Sequence, residues 1–232
     1  MSIMANKQFG QNFLIDNNVI QKILNYIQWG DRNLEIGPGQ CAFTTEIMKL
    51  TPNLTLIEID KSLIPEIHSK CGNEIHLINA NCLKCDLNYD VIFSSLPYNI
   101  SSEFILKLCT EIQYQRCYLI LQKEFVDRLI STHNNKTYGA LSVVVQLSTE
   151  VKFLRNISKT CFRPIPQVES AFASFTFQRT LTKDFVNFVF KCFAQRRKKL
   201  SNVVNVTCEL RADQIPPKDF LSLYEEHRAS QC

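Results

Sequence analysis

The feature that most restricts this chain is a regular alternation. Short apolar runs near residues 32–36, 54–59, 75–79, 90–95 and 116–121 are separated by helix-like patterns near 43–50, 61–69, 101–110 and 123–131. Runs of that length with helices between them predict an α/β fold built on a parallel sheet covered on both faces, because each crossover buries its apolar stripe on the sheet. A leading helix over Asn18–Gln28 is expected from Val19, Ile20, Ile23, Leu24 and Ile27, which recur at helical spacing. After residue 140 the pattern changes. Leu141–Leu147, Val151–Ile157 and Ala171–Phe177 are rich in β-formers and closely spaced, so a terminal antiparallel hairpin is expected, its loop carrying Phe162. From Thr182 the chain reads as helix, with Phe185, Phe188, Val189 and Phe193 along one face, and Pro216-Pro217 breaks it before a last helix over 218–228. The expected organisation is an α/β unit over residues 1–179 and a short helical unit over 180–232. A chain of 232 residues with 45% hydrophobic content is long enough for one substantial core and a small appendage.

Two strand ends in this frame carry chemistry. Leu34-Glu35-Ile36-Gly37-Pro38-Gly39-Gln40 is a short strand breaking into a glycine turn, with helix following from Thr44. The next strand, Leu54–Asp60, ends in acid, placing Glu58 21 residues after Gly37. Glycines let the backbone approach a ligand, and a carboxylate about 20 residues on can accept both hydroxyls of a ribose. NAD and S-adenosylmethionine both meet that description. A single Gly-Pro-Gly, with Cys41 where a third glycine would stand, suits a pyrophosphate poorly, whereas S-adenosylmethionine has no phosphate to cradle. The methyl donor is preferred.

The second strand end is Ser94-Ser95-Leu96-Pro97-Tyr98-Asn99-Ile100-Ser101-Ser102, after the buried run Asp90–Phe93 and before a helical pattern from Glu103. Open α/β sheets bind ligands at the carboxyl ends of their strands. A small polar residue, an apolar residue, a proline and an aromatic displayed there suit methylation of an exocyclic base nitrogen. Such an amine is a poor nucleophile because its lone pair is delocalised into the ring. Acceptors must hold its hydrogens and bring it toward tetrahedral geometry, while an aromatic stacks on the extruded base.

With these segments the chain resembles the rRNA adenine N6,N6-dimethyltransferases, the family of the bacterial KsgA-like enzymes, their eukaryotic and archaeal counterparts and the Erm enzymes. The matching pieces are Lys7–Leu14, Glu35–Gly39, Ile57–Asp60 and Leu96–Ser101, continued by Gln122–Glu124, Tyr138–Val143, Phe162–Ala171 and Gln195–Leu200. They run in the family's order from residue 7 to about 228. The ending Phe193–Asn202, with Arg196-Arg197-Lys198-Lys199, is similar to the small-subunit enzymes rather than to Erm, and Asn99 resembles bacterial members.

The resemblance implies a class I (Rossmann-like) S-adenosylmethionine-dependent methyltransferase sheet with a small C-terminal helical domain. It also implies dimethylation of two adjacent adenosines near the 3′ end of small-subunit rRNA, late in ribosome assembly. On it, Glu58 takes the cofactor's ribose, Asn81 and Cys82 lie beside its adenine, Gly37 lies beneath it, and Asn12 to Leu14 close over it. Glu35 braces the glycine turn. Tyr98 and Phe162 clamp the flipped adenine, each stacking contact being worth roughly 1–3 kcal/mol. The target amine faces Ser95 and the carbonyl of Leu96 or Pro97. Most acceleration is expected from orientation and proximity, with no general base. Two positions depart from the family pattern: Ser95 stands where asparagine is usual, and Asn81 where an aspartate holds the adenine amine. A lost positioned hydrogen bond costs about 1–3 kcal/mol, so Ser95 predicts a slower enzyme or a shifted base.

The 26 basic and 22 acidic residues leave a charge of only +4, so distribution matters more than balance. Arg196, Arg197, Lys198 and Lys199, and separately Lys152, Arg155, Lys159 and Arg163, form clusters suited to phosphates. The polar loop Ser131–Lys136 is expected to order with RNA. Ten cysteines without a signal peptide or long apolar span are expected as cytosolic thiols, and no metal site is expected. Cys82-x-x-Cys85 lacks a matching second pair, even with His68, Cys71 and His76 upstream. The expected setting is a cytoplasmic monomer acting on the immature small ribosomal subunit, away from membranes. The alternatives are an Erm-like large-subunit enzyme, a non-catalytic assembly or mitochondrial transcription factor of the same lineage, and, more distantly, an NAD-dependent oxidoreductase.

Overall fold

Parallel strands and their crossovers organise the computed structural model, which describes residues 10–231. The helices are α1 (Asn17–Leu24), α2 (Thr44–Leu50), α3 (Ile64–Cys71), α4 (Ser101–Thr110), α5 (Lys123–Leu129), α6 (Ala140–Ser148), α7 (Lys183–Phe193) and α8 (Asp219–Ala229). The strands are β1 (Phe13–Leu14), β2 (Asn33–Ile36), β3 (Leu54–Glu58), β4 (His76–Asn79), β5 (Val91–Ser95), β6 (Arg116–Gln122), β7 (Thr149–Ile157), β8 (Phe162–Arg163) and β9 (Ser170–Phe177). Seven strands form one sheet in the order β4-β3-β2-β5-β6-β9-β7. The first five are parallel, and β9 and β7 are antiparallel additions at one edge. β1 and β8 form a separate antiparallel pair.

Side-chain parity along the strands assigns the two faces, since successive residues point to opposite sides. Leu34, Ile36, Ile92, Cys117, Leu119 and Leu121 join a core roofed by α4 to α7. Leu54, Leu56, Val91, Phe93, Tyr118 and Ile120 join the opposite core under α1 to α3. The chain winds β2, β3, β4 outward, then returns across the sheet to β5 and β6. β2 and β5 are therefore neighbours at the point where the strand order reverses, and a crevice opens beyond their carboxyl ends.

Three expectations change. Leu141–Leu147 is helical, within α6, and not a strand. Its β-branched residues suggest a strand, but Ser142, Val143, Val144, Val145 and Leu147 are all buried, with α4, α5 and α7 packed around them. A helix enclosed on most sides needs apolar residues all round, and burial overrides weak local preference. The leading helix ends at Leu24, short of Gln28, because Tyr26 and Ile27 bond back to Ile23 and Leu24, tightening the chain to three-residue turns. Residues 131–136 are held without RNA. Asn134 N donates to Asp213 O at 2.8 Å, Ser131 and Thr137 hydroxyls meet at 2.8 Å, and Arg196 reaches the adjoining carbonyls. The matched residues Lys7 to Phe9 lie outside those described.

Candidate functional site

The crevice is a cavity of about 430 Å³ lined by residues from all the strand ends singled out above. The turn after β2 supplies Gly37, Pro38 and Gly39, and the first of these is positioned by Gly37 N donating to Ile57 O at 2.8 Å. Gly37 has φ +70°, a backbone region that costs side-chain-bearing residues, and a Cβ there would meet nothing within 4 Å. The space above it is open for a ligand.

Glu58, last in β3, is 4% exposed. Its carboxylate accepts Gly39 N at 3.1 Å and Asp60 N at 2.9 Å. Burial raises its pKa and those amides oppose the rise. Each oxygen keeps capacity for a further donor, which is what two ribose hydroxyls would need. Glu35, on β2, is buried, and among the described residues its Oε2 makes no well-formed hydrogen bond, the nearby Thr44 hydroxyl being likewise unmet. Burial, opposed by the Thr44 hydroxyl and reinforced by the nearby charge of Glu58, pushes its pKa up to about 8. An unspent polar atom at the wall of a cavity signals a ligand that completes it.

Asn81 and Cys82 line the same cavity. Asn81 Oδ1 accepts Leu83 N at 2.9 Å, so this side chain also caps the turn at Cys82–Lys84. Cys82 is buried and its thiol pKa is pushed up to about 11 by burial, leaving it a small apolar wall. Among the described residues no group of three or more potential metal ligands comes together.

The amino-terminal segment crosses the opening. Gln11 Nε2 donates to Asp60 Oδ2 at 3.0 Å, and Asn12 bonds back to Gly10 O at 3.3 Å. Burial works against the charge on Asp60, but Ser62 and Gln11 outweigh it and hold the carboxyl below its usual range. The Phe13 ring covers Gly39, where an added Cβ would lie 2.8 Å from Phe13 Cε1. Leu14 pairs with Phe162 across the β1–β8 ladder.

β5 brings the second motif to the same place. Ile36 and Ser94 are register partners, and Ser94 Oγ donates to Ile36 O at 2.7 Å, tying the two strand ends together. Ser95 is therefore level with the glycine turn, and it lines the cavity with Leu96, Pro97 and Tyr98. The Pro97 carbonyl already accepts Ile100 N at 3.2 Å and Ser101 Oγ at 3.4 Å, which leaves the Leu96 carbonyl as the acceptor beside Ser95. Tyr98 is half-buried, with Oη 2.7 Å from Ser170 Oγ.

Phe162 reaches the cavity wall but does not present an open stacking face. It is 1% exposed, packed in the core that includes Leu14 and Phe172. In this conformation Tyr98 is the one accessible aromatic of the expected pair. The basic residues divide as well. Arg163 donates to Thr160 O and Phe162 O, and Lys199 pairs with Glu209 at 2.6 Å. Arg196 Nη2 donates to Lys136 O at 2.7 Å and Tyr138 O at 2.8 Å, with Asn135 O at 3.4 Å. Arg197 and Lys198 are exposed, and neither makes an ion pair among the described residues. Sequence reasoning assigned no role to Ser170 or Asp60, and took Phe13 only as part of the covering segment Asn12 to Leu14. All three fall inside the matched segments, but only the fold shows what they touch.

Comparison with known proteins agrees with this geometry. A family model described as "Ribosomal RNA adenine dimethylase" matches residues 3–224. A ribosomal RNA small subunit methyltransferase A of Mycoplasma mobile is 37% identical over 87% of this chain and 84% of its own length. The protein of that name from Mycoplasmopsis pulmonis is 32% identical over 97% of this chain and 99% of its own. Among solved structures, a dimethyladenosine transferase from Plasmodium falciparum aligns over 94% of this chain and 98% of its own, with a TM-score of 0.81 and 23% identity. The 23S rRNA methyltransferase ErmE aligns over 93% of this chain and 99% of its own, with a TM-score of 0.68 and 20% identity.

Proposed function

This chain belongs to the ribosomal RNA adenine dimethylase family, and on that premise we propose that it dimethylates the N6 amines of two adjacent adenosines near the 3′ end of small-subunit rRNA. The methyl donor in this reading is S-adenosylmethionine. One observation carries the proposal: the glycine turn with Glu58 and the Ser95–Tyr98 strand end open into a single cavity at the sheet's reversal point.

The residues fit the donor. Glu58 would hold the ribose, Asn81 and Cys82 would flank the adenine, and Gly37 with Asn12 and Leu14 would enclose the rest. Glu35 Oε2 offers the remaining partner. Bound there, the cofactor supplies an electrophilic methyl group.

The chain's own work is positioning. Tyr98 would stack on the extruded adenine, and Phe162 would add a second face once β1, paired to β8 over two residues, gives way. The Ser95 hydroxyl and the Leu96 carbonyl would each accept one hydrogen of the amine, aligning its lone pair with the methyl carbon. The proton can leave after attack, when the nitrogen has become acidic, so no base is required. Arg197 and Lys198 are the cations best placed to track phosphate; beside them Arg196 and Lys199 are engaged with the chain itself, and Arg163, on β8, bonds its own loop. We also propose a functional division between a catalytic unit, 1–179, and a helical RNA-binding unit, 180–232. In packing the two are continuous, since Phe185, Val186, Phe188 and Val189 of α7 share one core with Val143 and Leu108. The proposed setting is a cytoplasmic monomer acting on the immature small subunit.

Ser95 favours a second reading, an assembly factor of the same lineage that binds subunits without modifying them. Incubation with undermethylated small subunits and methyl-labelled donor decides between the two. Label in two adjacent adenosines supports the enzyme, and subunit binding without label supports the factor.

A further inference from the structure

We infer that Ser170 and Glu169 are positioning residues that fix the Tyr98 ring and its spacing from the Phe162 strand before any base arrives. This deepens the proposal above and rests on Tyr98 being the stacking wall. Tyr98 opens a single three-residue turn, 98–100, after a proline, and the backbone alone leaves its side-chain torsions free. Its hydroxyl, however, ends 2.7 Å from Ser170 Oγ. Ser170 is 0% exposed and paired on both sides, to Gln122 of β6 and Ile157 of β7. The phenol is thus anchored to the interior of the sheet, not to solvent. Burial raises the Tyr98 pKa, so the contact is a neutral O–H···O bond and the phenol is no base.

The preceding residue extends the same clamp. Glu169 O accepts Lys123 N at 3.0 Å, fixing the start of α5. Its carboxylate accepts Lys159 N at 2.9 Å, the amide that opens the turn 159–161 leading into Phe162. Two adjacent residues at the head of β9 therefore hold the Tyr98 hydroxyl on one side and the approach to Phe162 on the other. A ring fixed in advance does not lose its torsional freedom when the base stacks. Because stacking belongs to the extrusion of one base after the subunit has bound through its many other contacts, the benefit appears in turnover and not in subunit affinity.

The test compares the full-length protein with Tyr98→Phe, Ser170→Ala and the double variant. It uses undermethylated small subunits for kinetics, S-adenosylhomocysteine for calorimetry, and an RNA hairpin with 2-aminopurine at the target adenosine for fluorescence. Each single change is expected to lower kcat roughly tenfold, the rate equivalent of one neutral hydrogen bond. KM for subunits and S-adenosylhomocysteine affinity stay unchanged, 2-aminopurine is less quenched, and the double variant is no worse than either single one. Tyr98→Phe keeps the ring and leaves Ser170 untouched, so it carries the test even where Ser170→Ala folds poorly. Wild-type kcat and quenching in Tyr98→Phe, or additive losses in the double variant, would overturn the inference. No methyl transfer by the unaltered protein would overturn the functional reading, and this one with it.

Discussion

Glu35→Gln separates the electrostatics of the cavity from everything else that titrates. Burial, reinforced by Glu58, moves the Glu35 carboxyl from 4.5 to about 8. Below 4.5 both folded and unfolded chains hold this proton, and above about 8 both have released it. In between, the folded state retains a proton that the unfolded state has lost, so the residue's contribution to stability falls as pH rises. The slope is about 1.4 kcal/mol per pH unit, or about 3 kcal/mol between roughly pH 5 and 7.5. Glutamine does not titrate. Relative to the wild type, Glu35→Gln should gain about 3 kcal/mol over that interval, on top of a pH-independent offset of about 1–3 kcal/mol for a less well satisfied amide. Urea unfolding of both proteins at stepped pH reads the gap directly. Groups remote from Glu35 cancel in the difference, and those coupled to it, such as Glu58 and Cys41, add smaller contributions. A difference that does not shift in favour of Glu35→Gln as pH rises would show that Glu35 is solvated and ordinary, and the argument from its buried Oε2 would go with it.

Ser95→Asn lengthens the side chain facing the target amine and replaces a hydroxyl with a carboxamide; single-turnover rates should equal or exceed wild type, by up to roughly tenfold. A large fall would mean that the backbone has adapted to serine. Gly39→Ala places a Cβ 2.8 Å from Phe13 Cε1 at φ +55°. It should cost about 1–2 kcal/mol of stability and weaken S-adenosylhomocysteine binding by calorimetry, and undiminished binding would refute the role of the Phe13 cover. Arg196→Ala should lower stability by about 1–2 kcal/mol in thermal unfolding, because the Lys136 and Tyr138 carbonyls lose the Arg196 donor and the Asn135 carbonyl keeps only Tyr138 N. Arg197→Ala should leave stability unchanged and reduce the slope of log affinity for RNA against log salt by about one. The reverse pattern would exchange the roles given to these two arginines.

The parallel sheet and its ligand-binding edge were legible because each strand and crossover carried its own pattern: apolar runs, a glycine turn, an acid at a strand end. Glu58 and the Ser95–Tyr98 strand end stood out through their own patterns and Asn81 only through the family resemblance; the strand order of the fold brings all three to one cavity. α6 was not legible. Val143-Val144-Val145 states a local preference for strand, and only the helices packed around it reverse that preference. Phe162 illustrates a second limit, because a motif names the residue near the cavity but not the two-residue ladder that covers it. Arg196 and Arg197 are identical neighbours in sequence. Both are exposed, and which of them braces a loop depends on where residues 135–138 lie, some 60 positions away.

The last-made strand of the sheet is an inner one. β9 lies between β6 and β7, hydrogen-bonded to each, although it is synthesised after both. While a nascent chain is still short of residue 170, β6 has an open edge and β7 has no neighbour in the sheet. An unpaired edge of that kind invites pairing with other chains. The same late strand begins with Ser170. Product truncated by premature termination before that point would therefore lack both the seal on its sheet and the anchor of Tyr98, and a quality-control protease would meet it as an inactive, sticky fragment.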